Sequence, residues 1–263
     1  MYGFSFIEIA LLILAGLATG FINVIAGGGS MISVPALIFL GIPGPIANGT
    51  NRIGILAQSA SSVIAFFRKG LSDFRLSLTL GLCTLPGAIM GAFSAAKIKT
   101  SDFNVLLAGV MIVVMALTFF GQKSTPSIAS NTAPQKTGRA RLIWGHICMI
   151  AVGFWGGFIQ IGVGFILIPI LNRVMGFDLL RTNMHKVTIV FIYTIVALII
   201  FARELEIAWA AGLFLAVGNI IGGWVGARSQ IKKGNNYIRW VINLVLIIFI
   251  IKLLFFNAQS AAL

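Results

Sequence analysis

Two cations, Arg52 and Lys186, lie inside stretches of the sequence that are otherwise apolar. Each follows the start of a predicted membrane helix by about seven residues, which at the rise of an α-helix places it about 10 Å inside the membrane. A charge at that depth costs at least about 2.5–3.5 kcal/mol on insertion scales, so it normally faces a polar cavity or a partner. No carboxylate of the same half of the chain lies close to either cation in the sequence. The two positions therefore favour a negatively charged ligand.

A glycine-rich break precedes each cation. The first is Gly27-Gly28-Gly29-Ser30 and the second is Gly162-Val163-Gly164. Glycine leaves the backbone uncovered, so free N–H groups and the positive end of a helix dipole can approach an anion there. Irregular backbone at membrane depth is tolerated only where it is buried in protein or lines a cavity. We therefore predict that two helix starts and two cations form an anion site near the membrane midplane.

The predicted substrate-binding residues combine this uncovered backbone with the cations and with neighbouring amide or imidazole groups. They are Gly27, Gly28, Gly29, Ser30, Asn51, Arg52, Gly162, Gly164, Asn183, His185 and Lys186. We predict no catalytic residues and no metal site.

Simpler interpretations exist for each of these features. The two cations could snorkel to lipid headgroups. The glycines could serve close helix packing, which is the explanation we prefer for the pairs spaced by four residues. His185 could carry protons, but a buried histidine is more often a hydrogen-bonded core residue. The four-residue pairs are Gly16/Gly20, Gly87/Gly91 and Gly222/Gly226.

The composition identifies the chain as an integral membrane protein. Of its 263 residues, 59% are hydrophobic and 10% are charged, whereas soluble domains carry roughly 25% charged residues. The net charge of +13 could indicate a nucleic-acid partner, but the cations lie in short loops between apolar spans, which the positive-inside rule explains. With only six acidic residues there is little carboxylate for a cation or metal site, so the substrate is predicted to be an anion.

Apolar spans bounded by charge, glycine or proline predict an all-α membrane protein of about ten transmembrane segments. The segments are 6–26, 29–42, 46–67, 75–97, 102–121, 142–160, 162–175, 181–202, 207–228 and 236–257. The first segment is expected to be a retained helix rather than a signal peptide. The second and seventh are short: about 14 residues cover about 21 Å of a hydrocarbon layer of about 30 Å. These two are predicted to be broken helices.

The second half of the chain repeats the first at an offset of about 134 residues. Gly28 then aligns with Gly162, and Arg52 aligns with Lys186. We predict a first membrane repeat over 1–121, a polar cytoplasmic linker over 122–141 and a second membrane repeat over 142–263. Each repeat would contain five helices, and an odd number inverts the second repeat relative to the first.

The distribution of cations predicts the orientation in the membrane. Of the 19 Lys and Arg residues, ten crossings place thirteen on one side and four on the other, with Arg52 and Lys186 inside the membrane. The positive-inside rule then places the linker in the cytoplasm and both termini in the periplasm. The smaller set is Lys97, Lys99, Arg203 and Lys252.

The sequence resembles the TauE/SafE family of membrane proteins in one motif and its weaker repeat. The motif is the first glycine run with Pro35 and the following Ala47-Asn48-Gly49-Thr50-Asn51, and the repeat lies around residues 153–183. The resemblance covers about residues 5–256. It implies a bacterial-type permease linked to export of sulfite, sulfoacetate or related organosulfur anions.

We therefore expect a secondary transporter, not an enzyme, that exports a small sulfur oxyanion across the inner membrane without a cofactor. The expected partners are a small inorganic or organosulfur anion and membrane lipids, and not nucleic acid; the oligomeric state is open, with a homodimer as one alternative. A non-transporting membrane scaffold that binds anionic lipid at Arg52 is the alternative function. An intramembrane enzyme ranks last, because the sequence has no recognisable set of catalytic or metal-binding residues.

Overall fold

The computed structural model describes residues 4–120 and 138–260, and in these ranges the chain is helical without strands. The helices are α1 Phe6–Ile25, α2 Ser30–Phe39, α3 Gly44–Phe67, α4 Phe74–Ala96, α5 Thr100–Phe120, α6 Arg139–Phe158, α7 Val163–Pro169, α8 Leu179–Glu204 and α9 Trp209–Ser260. A π-helical turn, Ile170–Val174, continues α7. The all-α prediction is confirmed. Most of the predicted linker lies outside the described residues, and its last three residues already belong to α6.

Helix α9 is interrupted at Gly234, where the backbone has φ 72° and ψ −167°. Such a conformation is open to glycine and strained for other residues. The interruption falls between the ninth and tenth predicted segments. Two further breaks, after α1 and before α7, bound the short helices α2 and α7, as the sequence predicted.

Within residues 4–120 and 138–260, five helices are long and apolar enough to cross a membrane. They are Phe6–Ile25, Phe74–Ala96, Arg139–Phe158, Leu179–Glu204 and Trp209–Gly234. Helix α3 has 24 residues but is more polar, because it carries Asn48, Asn51, Arg52 and Gln58 along its buried surface. It lies at the centre, where it contacts both α8 and α9.

Polar side chains lie inside the protein, while large apolar side chains are exposed around it. Asn51 and Gln58 of α3 are buried, whereas Leu14 of α1 and Ile147 of α6 are exposed. A soluble protein would hide such apolar surface, and a bilayer accommodates it. This distribution confirms a membrane protein.

Glycines bring α1 against α9 and α4 against α6. Gly16 of α1 lies against the backbone of Leu215, and Gly87 of α4 lies against the backbone of Ile150, so that a Cβ atom at either glycine would overlap a carbonyl oxygen. Small residues allow this close approach of membrane helices. The packing interpretation of the glycine pairs is thereby confirmed. Reciprocal contacts come from Gly218 and Gly222 of α9 and from Gly153 and Gly157 of α6.

Candidate anion-binding site

The two glycine breaks meet in the interior. Gly27 has φ +85° and Gly162 has φ +70°, which turn the chain sharply before α2 and α7. Gly27 packs directly on Gly164, and a Cβ atom on either residue would overlap the Cα atom of the other. Glycine is therefore required at this crossing by backbone conformation and by space. The contact places the beginnings of α2 and α7 side by side.

The start of α2 retains uncovered donors. Among the described residues, no acceptor is found for the backbone N–H groups of Gly28, Gly29 and Ser30, which is usual in the first turn of a helix. Gly29 also lies against the carbonyl of Thr19, whose hydroxyl donates to the Gly29 carbonyl at 3.2 Å. These three residues are buried, but they do not line the central cavity described below.

Arg52 is fully buried and binds the end of α6. Its side chain is 0% exposed. One terminal nitrogen donates to the Gly156 carbonyl and, at 2.9 Å, to Gln160 Oε1. The other terminal nitrogen donates to the Gly157 carbonyl at 2.7 Å. Phe201 of α8 lies beneath the guanidinium, with Cζ 5.1 Å from the ring centroid. Arg52 thus satisfies carbonyls that the last turn of a helix leaves unpaired.

Lys186 binds the end of α1 in a similar way but with fewer contacts. Its side chain is 2% exposed, and Nζ donates to the Val24 carbonyl at 2.8 Å. A lysine ammonium has three donors. The one bond to protein described for Lys186 leaves two donors for other acceptors. Neither cation therefore reaches the protein surface, and snorkelling to headgroups does not describe their positions.

The two helix ends are each held by residues of the other half of the chain. Asn48 of α3 donates to the Phe158 carbonyl at 2.8 Å, next to the carbonyls bound by Arg52. Asn183 of α8 donates to the Ile25 carbonyl at 3.1 Å, next to the carbonyl bound by Lys186. An amide and a cation from α3 thus hold the end of α6, and an amide and a cation from α8 hold the end of α1.

A small cavity lies where Lys186 approaches the two glycine breaks. Its lining includes Gly27, Gly164 and Lys186, with room for about one water molecule. Asn23 and Gln58 provide its amide groups, and Asn23 Nδ2 donates to Gln58 Oε1 at 2.8 Å. Val163, Val187 and Val190 complete the lining, which contains no carboxylate. The cavity can hold a small group that accepts hydrogen bonds, and its one charge is positive.

The remaining predicted residues lie around this centre with other partners. Asn51 joins α3 to α2, since its Oδ1 accepts from Ser33 Oγ at 2.7 Å and its Nδ2 lies 3.4 Å from Ser30 Oγ. Asn183 contacts Gln230 as well as α1.

His185 points away from the cavity. Its Nδ1 lies 2.8 Å from Ser77 Oγ on α4, and its ring stacks on Phe177 with centroids 4.7 Å apart. Consecutive residues of a helix differ by about 100° in direction, so His185 and Lys186 face different neighbours. His185 thus has the surroundings of a core residue that is hydrogen-bonded through Nδ1, while Nε2 has no partner among the described residues.

Sequence reasoning missed several polar residues of this region. Gln58 lines the cavity, and Gln230 pairs with Asn183 at 2.7 Å. Tyr193 lies fully buried beside Gly156, close to the Arg52 contacts. Gln58 lies on the same helix as the Asn51-Arg52 motif and Gln230 lies among the cations of α9, so the one signal available was a neutral polar side chain close to residues already singled out.

An apolar exterior, a polar interior and interrupted helices define a helical membrane protein whose centre can hold a polar group. Comparison with protein families then gives the family: residues 12–253 match the model described as sulfite exporter TauE/SafE. The chain belongs to this family. The predicted resemblance is confirmed.

Relatives of the chain carry the name of membrane transporters. A probable membrane transporter protein of Haemophilus influenzae is 26% identical over 231 residues, covering 88% of each chain. The probable membrane transporter protein ORF9 of Sinorhizobium is 28% identical over 254 residues, covering 97% of this chain and 95% of its own. YfcA of Escherichia coli K12, named likewise, is 27% identical over 254 residues and is covered over 90% of its length. No solved structure matches the chain. The relatives confirm a membrane transporter rather than an enzyme.

Proposed function

We propose that the protein is a secondary transporter that exports a small sulfur oxyanion, sulfite or a related sulfonate, across the inner membrane. Membership of the sulfite exporter family supports the substrate class. The observation that carries the proposal is the position of Lys186, which is buried beside the crossing of Gly27 and Gly164 in a cavity without a carboxylate. A buried cation with unused donors is stabilised by an anion.

The two cations have different roles in this proposal. Arg52 directs both terminal nitrogens to α6 and so fixes the helix end beside the second break. Lys186 makes a single bond to α1 and lines the cavity. We assign anion binding to Lys186, with Asn23 and Gln58 as amide donors, and a positioning role to Arg52. The N–H groups of Gly28, Gly29 and Ser30 do not line the cavity in this conformation, so they receive no role in anion binding here.

An inverted repeat explains how such a site could open to either side. Helix α1 packs on α9, and α6 packs on α4, so the first helix of each half lies against the fourth segment of the other. This reciprocal exchange supports two five-helix repeats, 1–121 and 142–263, joined by the linker. With ten crossings the second repeat is inverted, and both termini lie in the periplasm. Rocking of one half against the other would expose the central site alternately.

The described conformation corresponds to a closed state of this cycle. The central cavity has room for about one water molecule, so sulfite requires the contact between the two breaks to open. The inside-negative membrane potential favours outward movement of an anion, at about 2.3 kcal/mol per charge for 100 mV.

Sulfite flux into proteoliposomes tests the proposal. We expect Lys186→Met to abolish saturable flux and Lys186→Arg to retain part of it, because arginine keeps the charge with a different geometry. Lys97→Met, which removes an exposed cation between α4 and α5, is the matched control and should transport normally. Unchanged flux in Lys186→Met would show that the central cation does not bind the substrate. The scaffold alternative is not favoured, since lipid headgroups cannot reach Arg52 at 0% exposure.

A further inference from the structure

A basic cleft lies at the surface where the loop after α3 meets α9. It has a volume of about 480 Å³ and is lined by Lys69, Arg228, Ser229, Ile231, Lys232 and Lys233. The lining thus carries four cations and no carboxylate. All four cations are exposed to solvent. A cleft lined by charges of one sign focuses the field and raises the local concentration of counter-ions.

Buried polar groups lie beneath the segment of α9 that carries the cleft cations, although they do not line the cleft itself. Gln230 lies in the same turn of α9 as the cleft cations but faces inward and is 0% exposed. Its Oε1 accepts from Asn183 Nδ2 at 2.7 Å, and the same nitrogen donates to the Ile25 carbonyl at 3.1 Å. Lys186, one turn further along α8, binds the adjacent carbonyl of Val24.

Two atoms of these polar groups lack hydrogen-bond partners among the described residues. They are Gln230 Nε2, a donor, and Asn183 Oδ1, an acceptor. A buried unpaired polar atom costs about 1–3 kcal/mol, so its retention calls for an explanation. The unpaired Gln230 donor beneath a cluster of cations suits an oxyanion that passes between the surface and Lys186, whereas the Asn183 acceptor requires a donor such as water.

We propose that the basic cleft is the cytoplasmic vestibule of the transporter. It collects small oxyanions and passes them along Gln230 and Asn183 to Lys186. The proposal rests on the proposed function for the direction in which the anion moves. Binding of an anion in the cleft can be measured separately from transport. The positive-inside rule explains cations on this face; it does not explain the buried polar groups that lie beneath them.

Trp224 provides a reporter that does not depend on transport. The guanidinium of Arg228 lies over its ring, with Cζ 5.3 Å from the centroid, and that of Arg68 lies at 5.5 Å. An oxyanion in the cleft would draw Arg228 from the ring and change the indole emission. In lipid-free detergent, we expect sulfite to change the emission beyond chloride at equal ionic strength. Trp224→Phe should remove this response, which assigns it to this one of the five tryptophans.

Two double variants distinguish the effect of the cleft cations from the general effect of removing two positive charges. Lys232→Gln/Lys233→Gln should weaken the emission response and raise the KM for sulfite leaving the cytoplasmic side by roughly tenfold at low ionic strength, with unchanged maximal flux. Lys97→Gln/Lys99→Gln removes the same charge from exposed positions between α4 and α5 and should leave both quantities unchanged.

Three results would overturn the vestibule. These are no sulfite-specific emission change in the wild type, equal effects of the two double variants, or a KM effect that occurs only in bilayers with anionic lipid. The last result would assign the cleft to lipid headgroups. A sulfite-specific emission change together with no sulfite flux would refute the proposed function while leaving anion binding in the cleft established.

Discussion

The strongest prediction concerns the unequal roles of the two buried cations. Arg52→Met removes three hydrogen bonds, to the carbonyls of Gly156 and Gly157 and to Gln160 Oε1. Lys186→Met removes the one described bond, to the Val24 carbonyl. Both variants delete a buried positive charge and introduce an unbranched apolar side chain. Their difference therefore reports the hydrogen bonds together with the contact of Arg52 with the Phe201 ring.

The expected magnitudes follow from the number of bonds. Hydrogen bonds between helices in membrane proteins contribute about 0.6 kcal/mol on average and at most about 1.7 kcal/mol each. Arg52→Met should then lower the free energy of unfolding by about 2–5 kcal/mol, against about 0.6–1.7 kcal/mol for Lys186→Met. Removal of a buried charge acts in the opposite direction in both variants. The order of the two effects is thus firmer than either value.

Two assays on the same purified variants check this order. Unfolding in mild detergent gives the stability, and sulfite flux in proteoliposomes gives the function. We expect Arg52→Met to be unstable, and Lys186→Met to be folded but inactive. Arg52→Lys should be intermediate in stability, because it keeps the charge and loses the two-pronged geometry. Equal loss of stability in the two methionine variants, or a stable and active Arg52→Met, would refute the positioning role of Arg52.

Three further predictions test other parts of the site. Gly27→Ala should abolish folding or flux, because a methyl group would overlap the second glycine break. Gly41 has a similar positive φ but open space around it, so Gly41→Ala should lower the free energy of unfolding only by the backbone strain, about 1–2 kcal/mol. His185→Gln should retain saturable flux, since the ring bonds to α4 and does not line the cavity. Gly153→Leu should prevent the packing of α6 on α4. Gel filtration would then show aggregation, or thermal unfolding a less stable protein. Gly109 has open space around it, so Gly109→Leu should remain monodisperse and as stable as the wild type.

Each of these predictions has a result that contradicts it. Equal behaviour of Gly27→Ala and Gly41→Ala would mean that the contact between the two breaks is not required. Loss of flux in a folded His185→Gln variant would show that the histidine takes part in transport. A normally folded Gly153→Leu would show that α4 and α6 can separate without cost.

The sequence predicted the helices well because their signals are local. Hydrophobic length, glycine breaks and prolines are read within a window of about 20 residues. The start of α3, the break before α7 and the interruption near Gly234 fall within a few residues of the predicted positions. The caps of α4 and α8 are local as well but were not predicted: Asp73 and Asp178 accept hydrogen bonds from backbone N–H groups three residues ahead.

The direction of each buried side chain could not be obtained in this way. Sequence symmetry paired Asn51 with His185, yet Asn51 bonds within the first half and His185 contacts Ser77 of α4. A rotation of about 100° per residue decides such outcomes, and only neighbouring helices determine which direction is polar. Gln58 and Gln230 were overlooked for the same reason.

By itself, the sequence determined a membrane protein with two glycine breaks and two cations inside apolar segments, because hydropathy and residue type are properties of the local chain. Tertiary structure decided what those cations bind. Arg52 reaches a carbonyl 104 residues away, and Lys186 reaches one 162 residues away. Contacts between residues so far apart in the sequence form only once the two halves have packed. Packing brings the end of the first helix of each half to the buried cation of the other half.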